Sequence, residues 1–196
     1  ILTVFSLTYL VDVAAETRST ALNALLIAAS VQFFAIPLLA RLSDRIGRKV
    51  TYAVFFTLGP ALYVTLPHAG RIGSVPLFVV CAVLILTMYG GGFATVPAYL
   101  SDIFGTHYVG AIHGRLLTAW SAAGVAGPVL VNYIREYQIK HGVPAAESYD
   151  VTMYLMAGLL VIGFFFNLAV TPVAERYYMS DEQVSAELGA LSTLRR

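Results

Sequence analysis

The residues able to do chemistry fall into two groups: a knot of charges at 41–50, and a few polar side chains inside long apolar runs. The knot, RLSDRIGRKV, holds Arg41, Arg45, Arg48 and Lys49 with a single acid, Asp44. A carboxylate near a helix N-terminus is worth ~0.3–2 kcal/mol, enough to bias a two-state equilibrium several-fold. Asp44, Arg45, Gly47, Arg48 and Lys49 are the residues of this knot that could make such contacts. The same charges also suit a plain topology marker between two membrane segments. The second group is Gln32, Tyr89, Trp120, Ser121 and Asn132, side chains that hydrogen-bond without reacting. A polar residue inside a membrane span is a functional candidate, and an indole N–H in such a span needs a partner. These five are candidates to line a substrate cavity. Helix–helix hydrogen bonding is the competing reading for Gln32, and packing is the competing reading for Tyr89 and Trp120.

Bond-making chemistry lacks material. Asp102 with His107 and His113 is the nearest approach to an active-site constellation, and it has no nucleophile and no recognised spacing. The chain is expected not to be an enzyme, and no metal or cofactor is expected. Cys81 is the single cysteine, which excludes a disulfide framework and a cysteine metal cluster. Gly90, Gly91 and Gly92 are not a phosphate loop, since no strand and no Gly-Lys-Ser accompany them.

The elements that must position these residues are apolar. The 196 residues are 58% hydrophobic, and 12% are charged, against about 25% in an ordinary soluble domain. Six apolar segments emerge, at about 1–13, 19–40, 50–67, 75–99, 111–134 and 150–171. Their lengths suit bilayer crossings, and lipid admits no open sheet edge. The expected fold class is all-α: a polytopic membrane helical bundle with six transmembrane helices over 1–174, followed by a tail over 175–196. The lipid bilayer is thus one partner, and nucleic acid is not. Placing 41–49 in the cytoplasm puts Arg41, Arg45, Arg48, Lys49, Arg115, Arg176, Arg195 and Arg196 on that side, against Arg18, Arg71, Arg135 and Lys140. That bias expects a multi-pass protein of the cell inner (plasma) membrane with a cytoplasmic C-terminus. Gly90, Gly91, Gly92, Gly124, Gly127 and Pro128 are expected to serve close helix packing or hinging. A short surface helix over 180–192, capped by Ser180, is expected in the tail.

The charged knot also carries a family resemblance. Leu42, Ser43, Asp44, Arg45, Gly47, Arg48 and Lys49 match the pattern G-x-L-[AS]-D-R-x-G-R-[RK], with Ala40 in place of the first glycine. That loop resembles the signature of the major facilitator superfamily. The resemblance implies one half of a twelve-helix fold, the C-terminal one, working by alternating access with a missing N-terminal six-span half. It also implies that the loop is a latch, with Asp44, Arg45, Gly47, Arg48 and Lys49 as candidate gating residues, in which Asp44 meets an arginine and a helix N-terminus of that other half.

Two longer runs narrow the resemblance. Residues 87–138 (TMYGGGFATVPAYLSDIFGTHYVGAIHGRLLTAWSAAGVAGPVLVNYIREYQ) and 149–170 look like the oxalate/formate antiporter family. Residues 1–42 are more similar to metabolite:proton symporters. The implied activity is secondary transport of a small organic anion. In oxalate-carrying members an arginine in the second span of this half and a lysine in the fifth bind the dianion. Here neither Arg nor Lys occurs within 19–40 or 116–134. A dianion in mid-membrane without a cation is very costly, so a monocarboxylate is the expected substrate. A proton-coupled metabolite symporter is the alternative transport reading, and a non-transporting structural or regulatory membrane protein is the alternative of another class.

Overall fold

The computed structural model describes residues 11, 17–145, 147–177, 179–180 and 182–186, and these are helical with no strand among them. Five long helices follow one another: α1 Arg18–Ile46, α2 Arg48–Arg71, α3 Val75–Phe104, α4 Val109–Lys140 and α5 Asp150–Ala169. All five are long and apolar enough to cross a membrane. Of the expected first span, Val11 alone is described; it is helical and packs against the core.

The helices run further than the apolar segments. At 1.5 Å per residue the 32 residues of α4 extend ~48 Å, against ~30 Å of hydrocarbon. Charged residues therefore stand on helix ends outside the apolar layer. The ten-residue connection expected at 41–50 shrinks to one residue. α1 continues through Asp44 and Arg45 to Ile46, and α2 starts at Arg48. Gly47 alone turns the chain, at φ 89, a left-handed value that a Cβ disfavours. Its N–H donates to Ser43 O at 3.0 Å, closing α1. Gly73 and Gly105 take similar positive φ in the short connections after α2 and α3.

The apolar core lies at the end of the bundle away from Gly47. Ala21 of α1, Leu66 and Ala69 of α2, Phe78, Cys81 and Ile85 of α3, and Met153 of α5 form it. In lipid, apolar contact between helices gains little over contact with acyl chains, so close packing and hydrogen bonds hold the helices together. α2 and α5 show this along their seam. A Cβ on Gly59 would lie 2.8 Å from Leu160 Cδ1, and one on Gly163 would lie 2.7 Å from Phe56 Cε1. α3 lies between α1 and α2 and uses its own glycines in the same way. A Cβ at Gly90 would meet Gln32 Nε2 at 2.6 Å, and one at Gly91 would meet Leu39 Cδ1 at 2.6 Å. α4 sits beside α3 and has no buried residue along its length.

After α5 a 3-10 turn spans Glu175–Tyr177, and 182–186 is helical. Ser180 caps that segment. Its Oγ accepts from Gln183 N at 3.3 Å, and Gln183 Oε1 accepts from Ser180 N at 3.0 Å, a reciprocal capping box. The rest of the helix expected to 192 lies outside the described residues.

Candidate functional site

The charges at the Gly47 end are divided between two tasks. Arg48 opens α2 and reaches two acids: its Nη2 is 2.7 Å from Asp44 Oδ1, and its Nη1 is 2.6 Å from Asp102 Oδ2. Both acids stand in the last turn of a helix, where the negative end of the dipole disfavours a carboxylate. Arg48 compensates both at once and ties α1, α2 and α3 together. Lys49 turns the other way. Its ammonium donates to Leu168 O at 2.9 Å and to Val170 O at 2.7 Å, carbonyls at the C-terminal end of α5. Helix C-termini leave such carbonyls without partners, and a cation there is favourable. Arg41 and Arg45 are exposed and make no ion pair with a described residue.

Beneath these charges lies a set of hydrogen bonds that sequence reasoning did not find. Asn167 donates its Nδ2 to Lys49 O at 3.0 Å and accepts at Oδ1 from the Tyr99 hydroxyl at 3.2 Å. Tyr99 stacks on Tyr52 with ring centroids 5.3 Å apart, and the Tyr52 hydroxyl donates to Gly92 O at 2.5 Å. One signal was available. An acid ending an apolar helix, as Asp102 does, asks for a nearby cation. At the opposite end Arg71 of α2 pairs with Asp150 of α5.

Arg48→Ala is expected to lower the thermal stability of the protein in detergent. The acids are about half exposed, so the loss is set at ~1–2 kcal/mol. Arg48→Lys should recover part of it, since an ammonium cannot fork between two carboxylates as a guanidinium does. An Arg48→Ala protein melting with the parent would remove the bridge from this account.

The second group of candidates separates in space. Tyr89 of α3 and Trp120 of α4 meet: the indole Nε1 donates to the Tyr89 hydroxyl at 3.2 Å. Phe93, one turn on from Tyr89, lies against the indole with centroids 5.6 Å apart. Tyr89 is 57% exposed and Trp120 54%, so the pair faces outward from this chain. Since the tyrosine oxygen accepts from the indole, its own O–H remains available to another acceptor. Ser121 follows Trp120 and is exposed. Gln32 points elsewhere, into the α1–α3 seam, where its Nε2 donates to Leu86 O at 2.9 Å. Asn132 is exposed, twelve residues beyond Trp120, or ~18 Å along the helix. On α4, Gly124 faces open space, with nothing within 4 Å of where its Cβ would be. α4 continues unbroken through Pro128.

A bundle of membrane-length helices with an outer surface of Phe33, Phe34, Val125 and Phe166, each more than 70% exposed, is a multi-pass membrane protein. Water would not tolerate so large an apolar surface. The family model of the Major Facilitator Superfamily matches residues 1–194, and the chain belongs to that superfamily. An oxalate:formate antiporter of Oxalobacter formigenes is 33% identical over 85 residues, which is 43% of this chain and 20% of the antiporter. No solved structure matches the chain.

Proposed function

We propose that this chain forms half of a secondary transporter that exchanges small organic anions, monocarboxylates in particular, by alternating access. The observation that carries the reading is the Tyr89–Trp120 pair. The indole N–H engages the tyrosine oxygen, so the pair presents the Tyr89 hydroxyl as a neutral donor on an outward face, in a region with no Arg or Lys between 72 and 114 or between 116 and 134. A neutral donor suits one carboxylate, because hydrogen bonds to an ionised acceptor are the strong ones. A dianion would keep one charge without a partner in a medium of low dielectric.

Exchange is favoured over proton symport because no Asp or Glu stands between 45 and 101 or between 103 and 135. A carboxylate that carries protons would have to come from elsewhere in the transporter. In this reading the Gly47 end faces the cytoplasm of a cell whose inner membrane holds the protein. The missing N-terminal half closes the cavity over Tyr89 and Trp120. Asp44, whose side chain is 59% exposed beside Arg48, also serves as the contact to that half.

Counterflow by the full-length protein in proteoliposomes tests the reading. Uptake of labelled formate or acetate should persist when a protonophore is added, with oxalate competing at least ~10-fold more weakly. Collapse of uptake with the protonophore would favour the proton symporter, and preference for oxalate would overturn the substrate class.

A further inference from the structure

We propose that α3 carries a hinge over residues 90–97 and that the Tyr52 hydroxyl is the catch that holds it straight. The backbone ladder is weakened there in three ways. Gly90, Gly91 and Gly92 are poor helix formers. Pro97 has no N–H to give Phe93 O. The carbonyls between are shared with side chains: the Thr95 hydroxyl donates to Gly91 O and Gly92 O at 3.0 Å each, and the Tyr52 hydroxyl donates to Gly92 O at 2.5 Å. Hydroxyls that bond ladder carbonyls loosen and bend helices.

The two arms of α3 are held by different physics. The arm from Val75 to Tyr89 is fixed in the apolar core through Phe78, Cys81 and Ile85. The arm from Pro97 to Phe104 is held by two polar ties, Tyr99 to Asn167 and Asp102 to Arg48, and by the stack of Tyr99 on Tyr52. Polar ties at an exposed end exchange readily with water. The second arm is therefore the one that swings, and the fixed α2–α5 pair is what it swings against. Tyr52 rides on α2 one turn beyond Lys49, so a swing of the arm pulls Gly92 O from its hydroxyl. Release of the Arg48–Asp102 bridge and bending beside Tyr89 and Phe93 thus become one event. The device concerns how this half bends and holds for any cargo.

A kink above about 20° would carry Phe104 ~5 Å sideways, given the rise of an α-helix. Spin labels at Phe104 on the moving arm and Leu58 on α2, both exposed, would report this as a second distance. The measurement uses the full-length protein in nanodiscs, in a cysteine-free background. Tyr52→Phe keeps the ring stack on Tyr99 and removes only the hydroxyl, and it should raise the displaced population about fivefold, the weight of one hydrogen bond. Tyr63→Phe, the same change further along α2, should leave the distances as in the parent. A parental distribution in Tyr52→Phe would overturn the catch. Equal broadening in Tyr52→Phe and Tyr63→Phe would overturn it as well, since general loosening of α2 would then explain the motion.

Discussion

Gly90→Ala and Gly91→Ala are expected to destabilise the protein, while Gly92→Ala leaves it unchanged or more stable. The three positions are adjacent, so helix propensity treats them alike; alanine gains ~0.5–1 kcal/mol over glycine at each. Their surroundings decide the sign. A Cβ on Gly90 would lie 2.6 Å from Gln32 Nε2, 2.7 Å from Ile36 Cδ1 and 3.0 Å from Ile36 Cγ1. Gln32 would have to move, and its bond to Leu86 O would be lost at the helix seam. With the overpacking, a net loss of ~2 kcal/mol is expected. At Gly91 the close atom is Leu39 Cδ1 at 2.6 Å, the end of a flexible side chain, with Leu39 Cβ behind it at 3.3 Å. The expected loss there is ~1 kcal/mol. At Gly92 the nearest atoms are 3.9 Å away, an ordinary contact, so propensity prevails. Thermal unfolding of the three variants in detergent would check the order. Three equal midpoints would mean that α1 and α3 are not in contact at this stretch.

Tyr89→Phe is expected to raise the KM for a monocarboxylate by ~10–100-fold, because it deletes the donor to a charged acceptor, worth ~1.5–3 kcal/mol, and Trp120→Phe is expected to raise it by less, because it deletes the N–H that orients that donor. Both changes keep an aromatic ring, so the packing with Phe93 survives. The maximum rate should change little, since the pair serves the bound carboxylate rather than the rocking of the halves. The two effects should not add. The indole N–H engages the tyrosine oxygen and so directs its proton outward, and removing either partner spoils the other. Asn132→Ala should move KM less than about twofold, because it lies ~18 Å along α4 from Trp120. Uptake kinetics in proteoliposomes would give these numbers. Unchanged KM in both aromatic variants would remove the pair from the cavity.

The clearest gap between sequence and structure lies in side chains separated along the chain. Arg48 and Asp102 are 54 residues apart, and Tyr89 and Trp120 are 31 apart. Each pairing depends on the rotation of a helix about its axis, and that rotation is set by packing. In these helices most faces are apolar, so periodicity carries little information about which face turns inward. Gln32 illustrates this: its type marked it as a cavity candidate or a helix–helix donor, and only the glycine gap at Gly90 opposite it explains where its amide goes. Gly47 illustrates the converse. The charged knot between two long apolar runs already marked a connection, but the apolar boundary at 40 hid six further helical residues, because charges on a helix end outside the lipid cost nothing.

What the sequence by itself determined is the class and the family. Long apolar runs must be helices where no water satisfies the backbone, and the spacing D-R-x-G-R-K marks the superfamily. The tertiary structure alone decided how the loop's charges are divided: Arg48 bridges two acids, Lys49 closes the end of α5, and Arg41 and Arg45 stay exposed. It also decided which polar residues meet. The reason is physical: in lipid the helices gain little from apolar contact itself, so their mutual placement follows where glycines permit approach and where polar groups find partners.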